Sequence, residues 1–290
     1  MTQNLPKYDL KEFDTVTLGK KLGAGSFGSV YVGLLASGRF VAVKQLELSG
    51  EVDEGELNKE VDVHRKLVHE NIIRYLHSST DRTSTPPKLN MYLEVVTGGS
   101  LNSVMKTLPG CKLPLSVAKV YARHMLLGLE YLHTNGVAHR DIKGDNILIS
   151  QDTGLAKLAD FDQAKVVQQT VRGSSGHGAK TLAGTPYWMA PEVITEESGY
   201  NPFKADVWSA GCTVAEMLTG KAPWVPMQNP MGVMYKPANS QGWPDAIPRD
   251  EKELGSKDAI DFLDQCFQRD PKIRPDCTTL LSHPFLKIVK

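Results

Sequence analysis

The feature that most constrains this chain is the stretch of residues 139–146, His-Arg-Asp-Ile-Lys-Gly-Asp-Asn. It places a potential base (Asp141), a cation (Lys143) and an amide ligand (Asn146) within a few positions of one another. The apolar run Ile-Leu-Ile at 147–149 predicts a short buried strand directly after it. Such polar groups beside a buried strand indicate a catalytic or ligand-binding loop; the alternative is a plain polar connection between a helix and a strand.

A glycine-rich stretch at residues 22–30, Leu-Gly-Ala-Gly-Ser-Phe-Gly-Ser-Val, indicates phosphate binding. Glycines have no Cβ atom, so backbone amides can approach phosphate oxygens closely. A dinucleotide-binding site uses the same Gly-x-Gly-x-x-Gly string, but it needs a helix directly after the glycines and an acid about twenty residues further on. Here residues 29–33 continue as a strand and Lys44 stands on the next one. The pattern therefore favours a strand–loop–strand hairpin that feeds a lysine-bearing strand.

Lys44 ends the run Val-Ala-Val-Lys and, with the glycine stretch upstream, is predicted to bind phosphate. The alternative is a surface lysine whose stem covers apolar neighbours. A phosphate-binding lysine needs a counter-charge, and Glu60, on a helix predicted over residues 54–68, is the candidate. Glu60 could instead be one of several solvated acids in this segment.

Length, charge and cysteine content limit the class of protein. At 290 residues the chain can form one large domain or two modest ones. Its formal net charge of +0 argues against a nucleic-acid or membrane partner held by bulk charge. The first residues are polar and no apolar run could span a bilayer, so we expect neither a signal peptide nor membrane insertion. The 4 cysteines form no Cys-x-x-Cys pair, which favours the cytoplasm, with the nucleus as an alternative.

The apolar periodicity predicts four helices in the second half of the chain, at residues 115–132, 206–218, 259–267 and 278–286. Residues 229–248 are rich in Pro and Asn and are predicted to form a loop. Residues 97–100, Thr-Gly-Gly-Ser, interrupt the pattern after a strand and indicate a hinge.

Further motifs occur at residues 158–162 (Leu-Ala-Asp-Phe-Asp), 184–192 (Gly-Thr-Pro-Tyr-Trp-Met-Ala-Pro-Glu), 206–220 and 263–271. With these motifs the chain resembles the eukaryotic protein kinases over residues 16–286. Lys143 and Thr185 resemble the serine/threonine type. The chain is most similar to the mitogen-activated protein kinase kinase kinases of the MEKK and plant type, although p21-activated and germinal-centre kinases share parts of the signature.

The resemblance implies an α+β, two-lobed protein kinase fold, with a small β-rich N-lobe that has one main helix and a large, mainly helical C-lobe. The implied boundaries are a short leader at residues 1–15, an N-lobe at 16–94, a hinge at 95–99, a C-lobe at 100–286 and a tail at 287–290.

The resemblance also implies ATP-dependent phosphorylation of Ser or Thr in a protein. Asp141 would take the proton of the substrate hydroxyl, and Lys143 would steady the γ-phosphate. Thr185 would bridge these two side chains. Asn146 and Asp160 would bind Mg²⁺. The implied partners are ATP and a protein substrate, expected to be a downstream kinase of a MAP kinase cascade.

The residues implied to contact ATP fall into three groups. The glycine stretch would cover the phosphates, Lys44 paired with Glu60 would hold them, and apolar side chains with hinge backbone groups would enclose the adenine. In chain order they are Leu22, Gly23, Ala24, Gly25, Ser26, Phe27, Gly28, Ser29, Val30, Ala42, Lys44, Glu60, Glu94, Val96 and Leu148.

An arginine (Arg140) precedes the implied catalytic Asp, as in kinases that are activated by phosphorylation of the activation loop. Thr181 is the first candidate acceptor, followed by Ser174 and Ser175. Two structural contacts are also implied. Glu192 and Arg274 would form an ion pair that anchors the activation segment, and Asp206 would bind the backbone of the catalytic loop.

Two positions depart from the family pattern. Asp162 stands where the family has the glycine of Asp-Phe-Gly, so the motif would lose backbone freedom and gain a charge near Mg²⁺. The enzyme could remain active with a less mobile motif or with tighter metal binding. The chain could instead be a nucleotide-binding scaffold without kinase activity. His64 stands where the family has an apolar residue; we favour a tolerated core histidine over a pH-sensitive element.

Overall fold

The computed structural model describes residues 8–25, 28–48, 61–167, 186–195, 199–224 and 230–287. The chain divides into two compact units, residues 1–96 and 97–290. The division falls within residues 95–99, which were assigned from the sequence to a hinge.

The first unit is built on an antiparallel sheet of five strands in the order β1-β2-β3-β5-β4. A helix, α1, is described over residues 61–66, between β3 and β4. The strands are β1 (Thr17–Gly25), β2 (Gly28–Leu34), β3 (Phe40–Glu47), β4 (Tyr75–Asp81) and β5 (Lys88–Leu93).

The two faces of this sheet cover separate apolar clusters. Val41 and Val43 of β3 pack with Tyr92 on one face. Leu46 of the same strand packs on the other face with Val61 of α1. Side chains alternate along a strand, so Lys44 projects from the same face as Leu46, the face that α1 covers.

Residues 10–15, placed in the leader from the sequence, form a 3₁₀ helix (Leu10–Thr15). Its Phe13 is 2% exposed and its ring centroid lies 5.0 Å from that of His77 and 4.9 Å from that of Tyr92. The Tyr92 hydroxyl donates to the Phe13 carbonyl at 3.2 Å. This part of the leader therefore contributes to the core of the first unit.

His64 lies on α1 and is 3% exposed. Its Nε2 lies 2.9 Å from the Ile73 carbonyl, so this nitrogen carries the proton and donates it. This hydrogen bond gives the buried ring a structural role, as expected for a tolerated core histidine.

The second unit is mainly helical and also contains two small antiparallel sheets, β6–β9 and β7–β8. The strands are β6 (Val137–Ala138), β7 (Ile147–Ile149), β8 (Ala156–Leu158) and β9 (Lys165–Val166). The helices are α2 (Leu101–Lys106), α3 (Leu115–Thr134), α4 (Pro191–Ile194), α5 (Pro202–Thr219), α6 (Pro230–Asn239), α7 (Glu251–Leu254), α8 (Lys257–Cys266) and α9 (Cys277–Leu281).

Helix α5 forms the centre of this unit and is buried along nearly its whole length. It begins before the predicted Asp206, because the Asn201 side chain accepts a hydrogen bond from the Phe203 N–H at 3.0 Å and Pro202 occupies the first turn. It ends at Gly220, whose φ of 70° is left-handed. A Cβ atom there would lie 2.2 Å from the Gly110 carbonyl oxygen, so only glycine fits.

The loop predicted at residues 229–248 is wrong in part, because α6 occupies Pro230–Asn239. The prediction rested on proline and asparagine content, but Pro230 is at the start of the helix, where a proline is compatible with helical geometry, and the helix also accommodates Pro237 in its interior. In the part of the chain that the structure describes, no helix is both long and apolar enough to cross a membrane.

Candidate active site

Residues 139–146 connect β6 to β7 in the second unit, and Gly144–Asn146 form a 3₁₀ turn. The Ala159 N–H, which follows β8, donates to the Asn146 carbonyl at 2.9 Å. Because β7 and β8 are antiparallel, this bond brings Asn146 and Asp160 to the same end of the hairpin.

The carboxylate of Asp141 is held by two donors from its own loop. Lys143 Nζ and Asn146 Nδ2 each lie 2.8 Å from Asp141 Oδ2. The same Asn146 nitrogen donates to the Asp141 carbonyl at 2.8 Å. Two predicted site residues, Lys143 and Asn146, therefore fix the orientation of the carboxylate of a third, Asp141.

Buried groups support this loop from beneath. His139 is fully buried, and burial lowers its pKa, so it is neutral at pH 7. Its Nδ1 accepts from the Asp141 N–H at 3.3 Å and its Nε2 donates to the Ala159 carbonyl at 3.1 Å. Its ring centroid lies 5.2 Å from that of Phe161. This histidine thus links the catalytic loop to the segment that carries Asp160.

The tether predicted for Asp206 is confirmed. Its carboxylate is fully buried and accepts from two backbone amides, His139 N at 2.9 Å and Arg140 N at 2.8 Å. Arg140 has a φ of 68°, which is unusual for a residue with a side chain and is held here by these bonds.

Asn146 and Asp160 suit a Mg²⁺ ion that is completed by phosphate oxygens. The Asn146 nitrogen is engaged by Asp141, so the carbonyl oxygen of the amide points the other way, as a cation ligand requires. Among the described residues no group of three or more His, Cys, Asp or Glu side chains forms a complete metal site. Mg²⁺ does not need one, because it commonly binds one or two protein oxygens together with substrate phosphates and water.

The altered motif Asp160-Phe161-Asp162 has its unusual backbone at its first residue. Asp160 has a φ of 63°, whereas Asp162 is not among the described non-glycine residues with positive φ. In this conformation Asp162 therefore needs no glycine-like geometry, and the replacement costs no backbone strain.

The glycine stretch forms the β1–β2 hairpin of the first unit, where Gly25 pairs with Gly28. Different structural features account for the glycines at positions 23 and 28. A Cβ atom on Gly28 would lie 2.0 Å from the Gln45 carbonyl oxygen, whereas one on Gly23 would meet nothing within 4 Å. Close strand packing thus requires Gly28, while Gly23 is compatible with backbone exposed to a ligand.

Lys44 is 8% exposed on β3, opposite Val30 of β2 and Met91 of β5. Ala42 pairs with Val32 and Leu93 on the same strands. This burial argues against a surface lysine.

At the end of β5 the Glu94 N–H donates to the Arg74 carbonyl at 3.0 Å, so a contact from Glu94 to an adenine edge would use its carbonyl. Leu148 lies on β7 in the second unit and forms a bridge with Ser100.

Several predicted site residues lie outside the described residues: Ser26, Phe27, Glu60, Ser174, Ser175, Thr181 and Thr185. The Lys44–Glu60 pair and the phosphorylation sites therefore stay predictions.

The predicted ion pair of Glu192 and Arg274 is confirmed. Arg274 Nη1 lies 2.7 Å from Glu192 Oε1, and Nη2 lies 3.1 Å from Oε2. Both side chains are at most 2% exposed. The pair joins α4 to the segment before α9 and does no chemistry.

Two polar residues beside the catalytic loop were not predicted from the sequence. Glu216 on α5 is 9% exposed and its Oε2 lies 3.5 Å from where a Cβ atom of Gly144 would be. Burial, together with the charge of Asp145, raises the pKa of Glu216 to about 7. His133 on α3 contacts Asp206, with Nε2 2.9 Å from Oδ2. The sequence signal for Glu216 is an acidic residue inside the apolar run of α5. No feature of the sequence indicated a role for His133.

Comparison with known protein families agrees with this arrangement. The model of the protein kinase domain matches residues 16–286. The chain belongs to the protein kinase domain family. The five-stranded sheet of this kinase domain, followed by a mainly helical region, is the fold predicted from the sequence.

The curated relatives of this kinase domain include MAP kinase kinase kinases. It is 42% identical over 277 residues to mitogen-activated protein kinase kinase kinase 2 of Arabidopsis thaliana, covering 92% of this chain and 40% of that protein. It is 42% identical to mitogen-activated protein kinase kinase kinase A of Dictyostelium discoideum over 92% of this chain and 27% of the relative. It is 40% identical to mitogen-activated protein kinase kinase kinase 19 of Mus musculus over 93% of this chain and 20% of the relative. The chain thus spans less than half the length of these relatives.

Proposed function

We propose that this chain is an ATP- and Mg²⁺-dependent serine/threonine protein kinase that acts in a MAP kinase cascade by phosphorylating a downstream kinase. The observation that carries the proposal is the Asp141 carboxylate, held at 2.8 Å by both Lys143 and Asn146. A carboxylate fixed in one orientation can take the proton of a hydroxyl as that hydroxyl attacks phosphorus.

Each unit contributes distinct parts to the reaction. In the first unit, backbone amides of the glycine hairpin and Lys44 would bind the phosphates, with Glu60 as the partner of the lysine. Val30, Ala42 and the backbone at Glu94 and Val96 would contact the adenine.

In the second unit, Asn146 and Asp160 would hold Mg²⁺, which neutralises charge on the β- and γ-phosphate oxygens. Leu148 would contact the adenine and Thr185 would bridge Asp141 and Lys143. The protein substrate supplies the attacking hydroxyl, and most of the rate enhancement comes from positioning and electrostatics.

The main test is Asp141→Asn, which keeps the shape of the side chain and removes the base. We expect the turnover number with a generic protein substrate to fall about 10²- to 10⁴-fold. The control is Asp152→Asn, an acid exposed in the turn after β7, which should leave the rate within about twofold. Equal rates for wild type and Asp141→Asn, with both proteins folded, would refute the assigned base.

The second candidate function is a nucleotide-binding scaffold without transferase activity, favoured by the acid at position 162. Because Asp162 has no positive φ, we expect the wild type to be active and Asp162→Gly to change the turnover number by less than about threefold. The glycine variant should also lose about 0.5–1 kcal/mol of unfolding free energy, since the unfolded chain gains freedom. A silent wild type whose activity is restored by Asp162→Gly would instead establish the scaffold.

A further inference from the structure

Three side chains in series, those of Cys277, His133 and Asp206, connect helix α9 to the catalytic loop. None of them is among the residues assigned to phosphate transfer. Cys277 Sγ, at the start of α9, lies 3.6 Å from His133 Nδ1. The Nε2 of the same ring, in the last turn of α3, lies 2.9 Å from Asp206 Oδ2. We propose that Cys277 is a positioning residue for phosphoryl transfer, because its thiol donates to His133 Nδ1 and so fixes the orientation of the ring that donates to the Asp206 carboxylate, which holds the catalytic loop. The proposal rests on the kinase function proposed above.

At the catalytic loop, this series of contacts ends in the buried carboxylate of Asp206, which accepts three hydrogen bonds. Asp206 Oδ2 accepts from His133 Nε2 and from the His139 N–H, each at 2.9 Å, and Oδ1 accepts from the Arg140 N–H at 2.8 Å. Arg140 is held at a φ of 68° directly before Asp141. The orientation of the Asp206 carboxylate therefore sets the backbone from which the Asp141 side chain departs.

The hydrogen-bond partners of His133 determine which of its ring nitrogens carries a hydrogen. An ionised carboxylate can only accept, so His133 Nε2 must carry a hydrogen. A ring that carries its one hydrogen on Nε2 presents a lone pair at Nδ1, and a thiol S–H is the matching donor. Burial raises the pKa of Cys277 well above its usual value, with the charge of Asp206 adding to the effect. The sulfur is therefore a protonated thiol at neutral pH and can donate to Nδ1.

The thiol acts here as a donor and not as a nucleophile. Cys277 is 2% exposed, and attack on an electrophile would need the thiolate that its surroundings disfavour. Cys266 offers a matched comparison in the same unit. It is fully buried, burial raises its pKa, and its thiol has no histidine partner among the described residues.

An open cavity of about 300 Å³ adjoins the ring and is bordered by His133, Phe203, Lys204 and Cys277, among others. If the thiol is removed, water from this cavity can reach Nδ1. Water can also donate to Nδ1, but it is not held in one place, so the orientation of the ring would be less restricted. The expected consequence is a less uniform Asp206 orientation and a partial loss of rate.

The experiment compares wild type with Cys277→Ala, Cys277→Ser and Cys266→Ala in the whole chain. We expect Cys277→Ala to lower kcat about three- to tenfold, with KM for ATP unchanged. A factor of this size corresponds to the net free energy of one neutral hydrogen bond. Cys277→Ser should recover about half of the lost rate or more, because a hydroxyl can also donate. Cys266→Ala should leave kcat unchanged even where it lowers thermal stability. Wild-type kcat in Cys277→Ala, or an equal loss in Cys266→Ala, would overturn the proposal.

Nitrogen NMR of histidine-labelled protein gives a readout that does not depend on activity. In the wild type, His133 should show the Nε2–H tautomer with Nδ1 as an acceptor, and Cys277→Ala should shift the Nδ1 resonance, whereas Cys266→Ala should not. If the wild type transfers no phosphate, the kinase function fails, and the link from Cys277 to His133 is judged by NMR alone. Unchanged His133 resonances in Cys277→Ala would then overturn the link as well.

Discussion

At the scale of single residues, two carboxylates beside the catalytic loop have opposite surroundings. Asp206 is fully buried but receives three hydrogen bonds, which compensate for the loss of water. Glu216 is almost as buried, and its Oε2 has no hydrogen-bond partner among the described residues. Burial, together with the charge of Asp145, disfavours the ionised carboxylate and raises the pKa of Glu216 to about 7.

Glu216 should therefore make the stability of the chain depend on pH. Its pKa in the folded protein, about 7, lies above its usual value of 4.5, so the folded state binds the proton more tightly. The contribution of Glu216 to stability falls as pH rises from 4.5 to about 7 and stays low above that. Relative to wild type, Glu216→Gln should gain up to about 3 kcal/mol of unfolding free energy between about pH 4.5 and pH 8.

Urea unfolding at a series of pH values measures this difference. The exposed Glu70→Gln serves as the control and should show no comparable trend relative to wild type. A gain for Glu216→Gln that is the same at every pH would show that Glu216 does not titrate differently on folding.

At the scale of elements, the β1–β2 hairpin tests why its glycines are there. Gly28→Ala would place a Cβ atom 2.0 Å from the Gln45 carbonyl oxygen, so β2 and β3 would have to separate. We expect a loss of about 1–3 kcal/mol of unfolding free energy for the first unit, as for overpacked sites. Gly23→Ala meets nothing within 4 Å and should be neutral or slightly stabilising.

Denaturant unfolding, followed by a probe in the first unit, separates the two variants. Equal destabilisation by both would mean that backbone freedom, and not strand packing, accounts for the glycine at position 28.

The helices and side-chain contacts show which structural features could be predicted from sequence patterns and which could not. Helix α3 was predicted from residue 115 because its apolar period is long and regular, and the structure has Leu115–Thr134. Helix α6 was missed because its prolines outweighed its pattern. The Glu192–Arg274 and Asp206 contacts were predicted from the family resemblance. The link from Cys277 to His133 was not, because residues 144 positions apart carry no local signal of their contact.

At the scale of the whole molecule, the chain carries the ordered motifs of a protein kinase in two units. The fold and the residues of the candidate site could be predicted from these motifs, because phosphoryl transfer needs particular residue types at fixed spacings. The orientation of Asp141 could not, since it depends on hydrogen bonds that only the folded loop forms. The chain covers 40% of mitogen-activated protein kinase kinase kinase 2 of Arabidopsis thaliana, so substrates and partners stay proposals.

The most direct test of the kinase function is Mg²⁺-dependent transfer of the labelled γ-phosphate of ATP by the purified wild type, followed by phosphoamino-acid analysis. We predict label on serine or threonine, loss of label when Mg²⁺ is chelated, and a loss of about 10²-fold or more in Asp141→Asn. A folded wild type that binds ATP but transfers no phosphate, or that labels tyrosine alone, would contradict the proposed function.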